Sequence, residues 1–463
     1  MLLDLFSGCG GLSHGFINAG FTLLGSVDID PKSISVCEAN HFHGNAVHQC
    51  ADVTKYKPYE GEGETCREVP SDKALGIFLN CNIPKTEIIV AGGPPCQAYS
   101  QAGRGKLNSL GTERHHLNDS RGGLFEYFID LSLHQNAACI LMENVPGAIN
   151  YGGKNIPDII CKDLEENGYN AQWTILNAAD FGVPQIRERV FVMAMRKDLG
   201  LFPSWPEPTH APPLGHTVSF GSAVRLYESF IKKSDFFHAP YCYKNAKKLW
   251  VTVQEALSDL PILRNKADEK YRTYPISMEL EYRSEPCSEF QNIMRSNLSY
   301  GGTTGHVYRN TPRDFQIFER MQANDDYPAA SRIADQIFAE TALNMNISFT
   351  KDPVLYSTIR RKIVPPYDRM KFLDKWTRLD PTKPSRTVVA HLSVDTYSHI
   401  HPFEPRGISI REAARLQSFP DDFHFWGSMG DAYSQIGNAV PPLLAEKIAE
   451  AVGHQFSKKA PCQ

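Results

Sequence analysis

Over its first 197 residues the chain alternates short apolar runs with helix-like segments, and this alternation restricts its fold more than any other feature. Leu2 to Phe6, Thr22 to Val27, Ile88 to Ala91, Cys139 to Met142, Gln172 to Leu176 and Arg189 to Met195 read as strands. Leu12 to Ala19, Pro31 to Asn40, Leu124 to Gln135 and Ile156 to Glu166 read as helices between them. Such a succession implies an α/β fold with a parallel, doubly wound sheet. The pattern breaks at Phe202-Pro203-Ser204-Trp205-Pro206-Glu207-Pro208, after which periodicity is poor and turn residues are frequent until about residue 378. The expected division is therefore a main domain of 1–197 and 378–463 and a second, smaller irregular domain of 198–377. Two helices, at about 408–417 and 439–453, are expected near the end.

In a doubly wound sheet the chemistry gathers where strands end, and three strand ends carry unusual residues. Asp4-Leu5-Phe6-Ser7-Gly8-Cys9-Gly10-Gly11 closes the first strand in a glycine-rich turn that opens a helix, so bare backbone can approach a ligand. Ser13 stands where a dinucleotide fingerprint would carry its third glycine. The second strand ends in Asp28-Ile29-Asp30, where a carboxylate about 20 residues after the turn can accept hydrogen bonds from ribose hydroxyls. Asp52, beside Val53, adds an acid suited to an adenine edge. Together they describe a nucleoside-bearing cofactor. The third such strand, Ile88 to Ala91, runs into Gly92-Gly93-Pro94-Pro95-Cys96, which sets a cysteine at a strand-to-loop junction. Residues 97–121 then form a long polar stretch with Arg104, Lys106, Arg114, His115, His116 and Arg121, readable as a lid or as a plain surface loop.

Composition narrows the class. The 463 residues are 42% hydrophobic and 22% charged, without an apolar run of membrane-spanning length or a leader pattern at the start, which predicts a cytoplasmic protein without membrane association. Eleven cysteines with no C-x-x-C pair argue against a disulfide framework and a zinc ribbon, and Cys37, His41, His43 and Cys50 match no zinc spacing, so no metal is expected. Net charge is −4, yet 198–377 holds 23 basic against 21 acidic residues. Within it, 225–248 and 351–375 carry +4 each, with aromatics among the basic residues, a mixture that permits phosphate contacts and base stacking.

DLFSGCGG (4–11), GGPPCQ (92–97), ENV (143–145), QIRERVFVMA (185–194), TKPSRTV (382–388) and QIGNAVPP (435–442) occur in the order found in the cytosine-5 DNA methyltransferases, which the chain resembles over about 1–197 and 376–455. The resemblance implies a Rossmann-like catalytic domain that uses S-adenosyl-L-methionine, and a target recognition domain at 198–377 that reads double-stranded DNA. It implies that Cys96 adds to C6 of a flipped-out cytosine, that Glu143 handles the proton at N3, and that Arg187 and Arg189 clamp the base, with Arg189 at the cytosine O2. Around the cofactor it implies Phe6 and Ile29 at the adenine, Gly8, Gly10 and Gly11 in the turn, Asp28, Asp52 and Val53 at the nucleoside, Pro95 near the sulfonium, and Asn438 and Val440 near the methionine end. It also suggests a prokaryotic or phage enzyme acting as a monomer, with a separate restriction endonuclease as an optional companion. A tRNA-directed methyltransferase of this fold and an inactive nucleic-acid-binding relative stay open beside it.

Overall fold

The computed structural model describes residues 1–41, 46–55, 88–95, 123–213, 222–263, 275–298, 301–369 and 375–457. The chain forms two compact units, one of Met1–Trp250 with Ala439–Gln463, the other of Val251–Asn438.

The first unit is built on seven strands: β1 (Leu2–Leu5), β2 (Leu23–Asp28), β3 (Val47–Cys50), β4 (Ile89–Gly92), β5 (Cys139–Asn144), β6 (Tyr169–Asn177) and β7 (Glu188–Arg196), in the order β3-β2-β1-β4-β5-β7-β6. Among the described residues four helices connect them, α1 (Gly11–Asn18), α2 (Pro31–Asn40), α3 (Leu124–His134) and α4 (Ile156–Glu166). The central strands β1, β4 and β5 are largely apolar because both faces of the sheet are covered there, whereas the edge strand β3 (Val-His-Gln-Cys) is polar and partly exposed. Leu3, Leu5, Val90, Ile140, Met142, Val190 and Val192 face α3 and α4, through Phe128, Ile129, Ile160 and Leu164. Their alternates Leu2, Ile89, Ala91, Leu141, Phe191 and Met193 face α1 and the C-terminal helix Pro442–Ser457, through Leu12, Phe16, Leu444 and Ile448. This period of two, with helices on either side, is the doubly wound arrangement.

One strand departs from the expected parallel sheet: β7 runs antiparallel to both β5 and β6. Only the short 3-10 turn Ala178–Phe181 lies between β6 and β7 among the regular elements, and a parallel return needs a crossover of a dozen or more residues. Asn177 pins the connection, its Oδ1 accepting from the backbone N–H of Ala179 (3.3 Å) and Arg187 (3.1 Å).

The compact units also divide the chain at other points than the compositional break. Leu201 and Trp205 are buried against the α1 face of the sheet, the Phe237 ring stands 4.7 Å from that of Trp173 in β6, and the Trp250 indole N–H donates to Asp180 (2.9 Å). Residues as far as Trp250, with the basic window 225–248, thus pack into the first unit.

Residues 378–438 belong to the second unit: Arg378 N–H donates to Asp325 O (3.1 Å), and Val253 N–H to Lys383 O (2.8 Å). This unit is more regular than the sequence suggests. It contains Tyr327–Asn344, an 18-residue helix N-capped by Asp326, along with Pro353–Ile363, Ile410–Leu416 and Met429–Asn438. Its core gathers Phe318, Tyr327, Ile337, Trp376 and Ile400. Nearby, Arg415 lies fully buried between Asp259 and Asp421, with a 2.6 Å contact to each. Among the described residues no helix is long and apolar enough to cross a membrane.

Candidate active site

In strand order the sheet reverses between β1 and β4, the position at which the carboxyl ends of an open α/β sheet leave a crevice. At this edge lie the ends of β1, β2, β3, β4 and β5. The N-terminal end of β7 lies there as well, because Asn144 at the end of β5 pairs with Val190.

β1 leaves the sheet through Phe6, whose φ of 57° is in the left-handed region that a bulky side chain rarely adopts. Gly8 (φ 54°) and Gly10 (φ 85°) continue the turn into α1. A side chain at Gly10 would meet the His41 ring at 2.5 Å, so that glycine is required by packing; beyond Gly8 there is open space, which leaves its backbone accessible. The turn is tied to β2 by Asp28, whose Oδ2 accepts from Gly8 N–H (2.8 Å) and whose Oδ1 accepts from Asp30 N–H (2.9 Å). A carboxylate has about four acceptor positions, so Asp28 retains capacity for two hydroxyls. Burial raises its pKa above the ordinary value, while the backbone donors of Asp30 and Gly8 oppose that rise. Asp30 is a helix cap, accepting from Lys32 and Ser33 N–H at the start of α2. Ile29 between them is 67% exposed at the rim. Asp52 follows β3 with its carboxyl pKa lowered, chiefly by the Thr54 hydroxyl at 2.7 Å, and Val53 beside it is buried. An open glycine backbone, two carboxylates and apolar groups at Phe6, Ile29 and Val53 fit a nucleoside.

Asp4 and Ser13 are part of this cradle although neither is among the residues expected there from the sequence. Ser13 Oγ donates to Asp4 Oδ2 at 2.5 Å beneath the turn, and burial pushes the Asp4 carboxyl up to about 7. The hydroxyl at the place of the third glycine was the available signal.

The second part of the site lies across β4, β5 and β7. Gly92 pairs with Leu5 so closely that an added Cβ would stand 2.0 Å from Leu5 O. A Cβ on Gly93 would come 3.1 Å from Glu143 Oε2, and Asn144 Nδ2 donates to Pro94 O (3.4 Å), so the turn lies directly against the end of β5. There Arg189 Nε donates to Glu143 Oε1 at 2.9 Å, with both side chains nearly buried. An arginine held this way fixes the carboxyl and keeps guanidinium donors to orient a polar ring.

Arg187 has a different destination from its neighbour two residues on: it is buried, and its Nη2 donates to Ala439 O (3.0 Å). Since Arg187 precedes β7, the same-side rule for strand positions does not govern it. Val440 is buried in the core next to this anchor, whereas Asn438 is the exposed last residue of the helix Met429–Asn438 in the second unit. Pro95 is half-buried at the end of the described turn; Cys96, residues 97–121 and His43 lie outside the described residues. Of the cysteines in the 37–50 group, Cys37 donates to Gly8 O (3.3 Å) and Cys50 to Ile29 O (3.5 Å). In the second unit His401, Glu404 and Glu412 come together, but Arg406 occupies that cluster, bonding Glu412 at 2.7 and 2.8 Å and Glu404 at 2.9 and 3.2 Å.

A family model described as C-5 cytosine-specific DNA methylase matches residues 1–454. A protein of Oceanobacillus iheyensis named "Putative type II methyltransferase M.OihORF3336P" is 47% identical over 454 residues, covering 97% of this chain and 95% of that one. Type II methyltransferase M.AgeI of Thalassovita gelatinovora is 30% identical over 473 residues, covering 97% and 98%. Among solved structures, an E. coli protein described as a putative DNA modification methyltransferase encoded within a prophage superposes with a TM-score of 0.61 at 22% identity, covering 98% of this chain and 99% of that one.

Proposed function

Because the chain belongs to the C-5 cytosine-specific DNA methylase family, whose members methylate DNA cytosine from S-adenosylmethionine, we propose that it acts on a flipped-out cytosine in a short duplex sequence through a covalent adduct to Cys96. The observation that carries this reading is the Glu143–Arg189 pair lying against the Gly93-Pro94 turn, one residue beyond whose Pro95 the chain reaches Cys96.

Cytosine C5 is a weak nucleophile, so a thiolate must first add to C6. The sulfur of Cys96 forms the bond, and the displaced electron pair moves through the ring toward N3, where Glu143 holds the proton that keeps the charge from building. Arg189, fixed by Glu143, donates to O2 of the base and orients the ring. S-adenosylmethionine, when bound, would supply an electrophilic methyl group, the electron pair at C5 forming the bond to it as the methyl–sulfonium bond breaks and the thioether leaves. A base then takes the C5 proton, the freed pair restores the C5–C6 double bond, and the C6–sulfur bond breaks to release Cys96 as a thiolate. Arg187 is a positioning residue in this scheme, holding the start of β7 to Ala439. In this reading Asp28 would hold the ribose hydroxyls, Phe6, Ile29, Asp52 and Val53 would serve the adenine, and the backbone of Gly8, Gly10 and Gly11 would admit the nucleoside; Pro95, Asn438 and Val440 would serve the methionine part.

A base inside a duplex cannot reach such a site, which is why flipping is part of the proposal. Residues 198–377 supply sequence recognition, since the methyl-transfer residues lie elsewhere and would accept any extruded cytosine. The enzyme acts as a cytoplasmic monomer, with any cognate endonuclease acting separately.

The experiment is Cys96→Ser beside the wild type, incubated with duplex DNA containing 5-fluorocytosine, in which fluorine blocks the final elimination. Wild type should form a denaturation-resistant adduct and the serine variant none, while DNA binding persists in both. An active serine variant refutes the adduct. Bisulfite sequencing of a methylation-free host expressing the protein should show one fixed sequence around each modified cytosine.

A further inference from the structure

The second unit contains a cavity of ≈ 750 Å3 whose wall carries Arg313, Arg360, Arg361 and Arg369 together with Tyr356 and Tyr367 and, among the described residues, no carboxylate. Two acids stand behind it. Asp335 accepts from Arg360 (3.2 Å) and from Arg369, and Asp314 holds Arg313 through bonds of 2.6 and 2.9 Å. Four guanidiniums against two carboxylates leave a positive wall. Arg361 bonds the backbone of its own helix at Ser357 O (3.3 Å), and among the described residues no carboxylate pairs with it.

The helix that presents Arg360 and Arg361, Pro353–Ile363, buries none of its residues. It is held by the Arg360–Asp335 bond, by Ile363 packed partly buried against the core, and by Tyr356, whose ring stands edge-on to Phe338 at 4.9 Å and to Phe349 at 5.9 Å. A helix docked this lightly leaves a basic and aromatic side open, and Tyr367 across the cavity is 45% exposed. Guanidinium forks match phosphate oxygens, and an exposed aromatic face beside them suits a planar ring. The volume is that of a small-molecule site rather than of a surface dimple.

We propose that this cavity takes one nucleotide of a DNA strand, its phosphate on Arg361 and the neighbouring guanidiniums and its base on Tyr367. The assignment to DNA rests on the function proposed above. A free nucleotide has the same chemistry, so the two sources must be separated.

The test uses the full chain with Arg361→Gln and Tyr367→Ala, neither of which is in the methyl-transfer or cofactor machinery; circular dichroism melting verifies that both fold. Binding to labelled duplex and single-stranded oligonucleotides is followed by fluorescence anisotropy across about 50 to 200 mM salt. Arg361→Gln should weaken binding roughly fivefold to tenfold and lower the salt slope by about one, the signature of one lost phosphate contact. Tyr367→Ala should weaken binding by a similar factor with the slope unchanged, as loss of stacking requires. Affinities and slopes equal to wild type overturn the proposal. A wild type that binds S-adenosylmethionine but no DNA removes the DNA reading and the proposal with it. A deoxynucleoside monophosphate bound as tightly as the strand, and lost in both variants, overturns the assignment to a strand alone.

Discussion

Asp4→Asn should become progressively more favourable to stability as pH rises from 5 to 8. Burial lifts the Asp4 carboxyl from 3.8 to about 7 in the folded chain. A raised carboxyl pKa means that the folded state holds this proton more tightly than the unfolded state does. The associated stability is complete below the unfolded value near 3.8 and is lost as pH rises toward 7. A shift of about three units at ~1.4 kcal/mol each caps the loss at ~4 kcal/mol, and between pH 5 and 8 it amounts to ~2.5 kcal/mol. Asparagine keeps an oxygen to accept from Ser13 Oγ and has no charge to bury. Its amide N–H2 can go unpaired at a cost of ~1–3 kcal/mol, but that cost does not vary with pH. The measured quantity is therefore the change with pH in the difference between variant and wild type, from urea unfolding midpoints at pH 5, 6, 7 and 8. A difference that stays constant, or that moves against the variant at high pH, refutes the claim that Asp4 becomes a buried charge under the glycine turn.

Gly92→Ala should destabilise by ~3 kcal/mol or more and give little folded protein on expression, since its Cβ would lie 2.0 Å from the backbone oxygen of Leu5 and no rotamer can relieve that clash. Arg189→Lys retains the charge at the 2.9 Å contact with Glu143 but loses the planar fork, and should lower kcat by roughly 10²-fold with affinity for S-adenosylmethionine unchanged; equal kcat would exclude Arg189 from the base clamp. Asp28→Ala removes both the ribose acceptor and the tie to Gly8, and calorimetry should show cofactor affinity at least ~10-fold weaker, in line with a charge-assisted hydrogen bond of ~1.5–3 kcal/mol. Asp259→Ala leaves the buried Arg415 with one of its two carboxylates and should cost ~3–5 kcal/mol in the urea unfolding of the second unit.

The sheet was legible because its strands are buried on both faces: Ile89-Val90-Ala91 and Cys139-Ile140-Leu141-Met142 carry no polar residue to break the run. α2 was legible for a different reason, as Asp30 and Pro31 form a cap whose bonds the structure contains. The direction of β7 is not encoded in its own apolar run. It follows from the missing crossover helix before it, a property of the connection rather than of the strand. The compact units divide the chain elsewhere than the proline-rich stretch, because such a stretch marks extended chain, while Leu201 before it, Trp205 within it and Phe237 after it decide what that chain packs against. Tyr327–Asn344 escaped notice because its buried face is largely alanine (Ala329, Ala330, Ala334, Ala342), which a search for branched apolar residues passes over. Glu143 and Arg189 stand out in the sequence through their motifs, and the structure pairs them at 2.9 Å. Asp4 and Ser13 required three-dimensional contact: the hydroxyl at the place of the third glycine marks the position, but not the carboxyl that it bonds.

The C-terminal helix Pro442–Ser457 also determines when the protein can become whole. It covers α1 so tightly that a side chain at Gly15 would meet Ala445 Cβ and Pro442 O at 2.5 Å, and it buries Leu444, Ile448 and Val452 against the same face as Leu12 and Phe16. During synthesis the glycine turn and α1 are made first, while their cover arrives only after the whole of Val251–Asn438 has been translated. The nascent first unit must hold an apolar stripe open to water through that interval, which exposes it to chaperones and to aggregation. The same geometry makes the unit separable at a natural seam: a chain ending at Asn438 should regain its α1 packing when a peptide of residues 439–457 is supplied from outside.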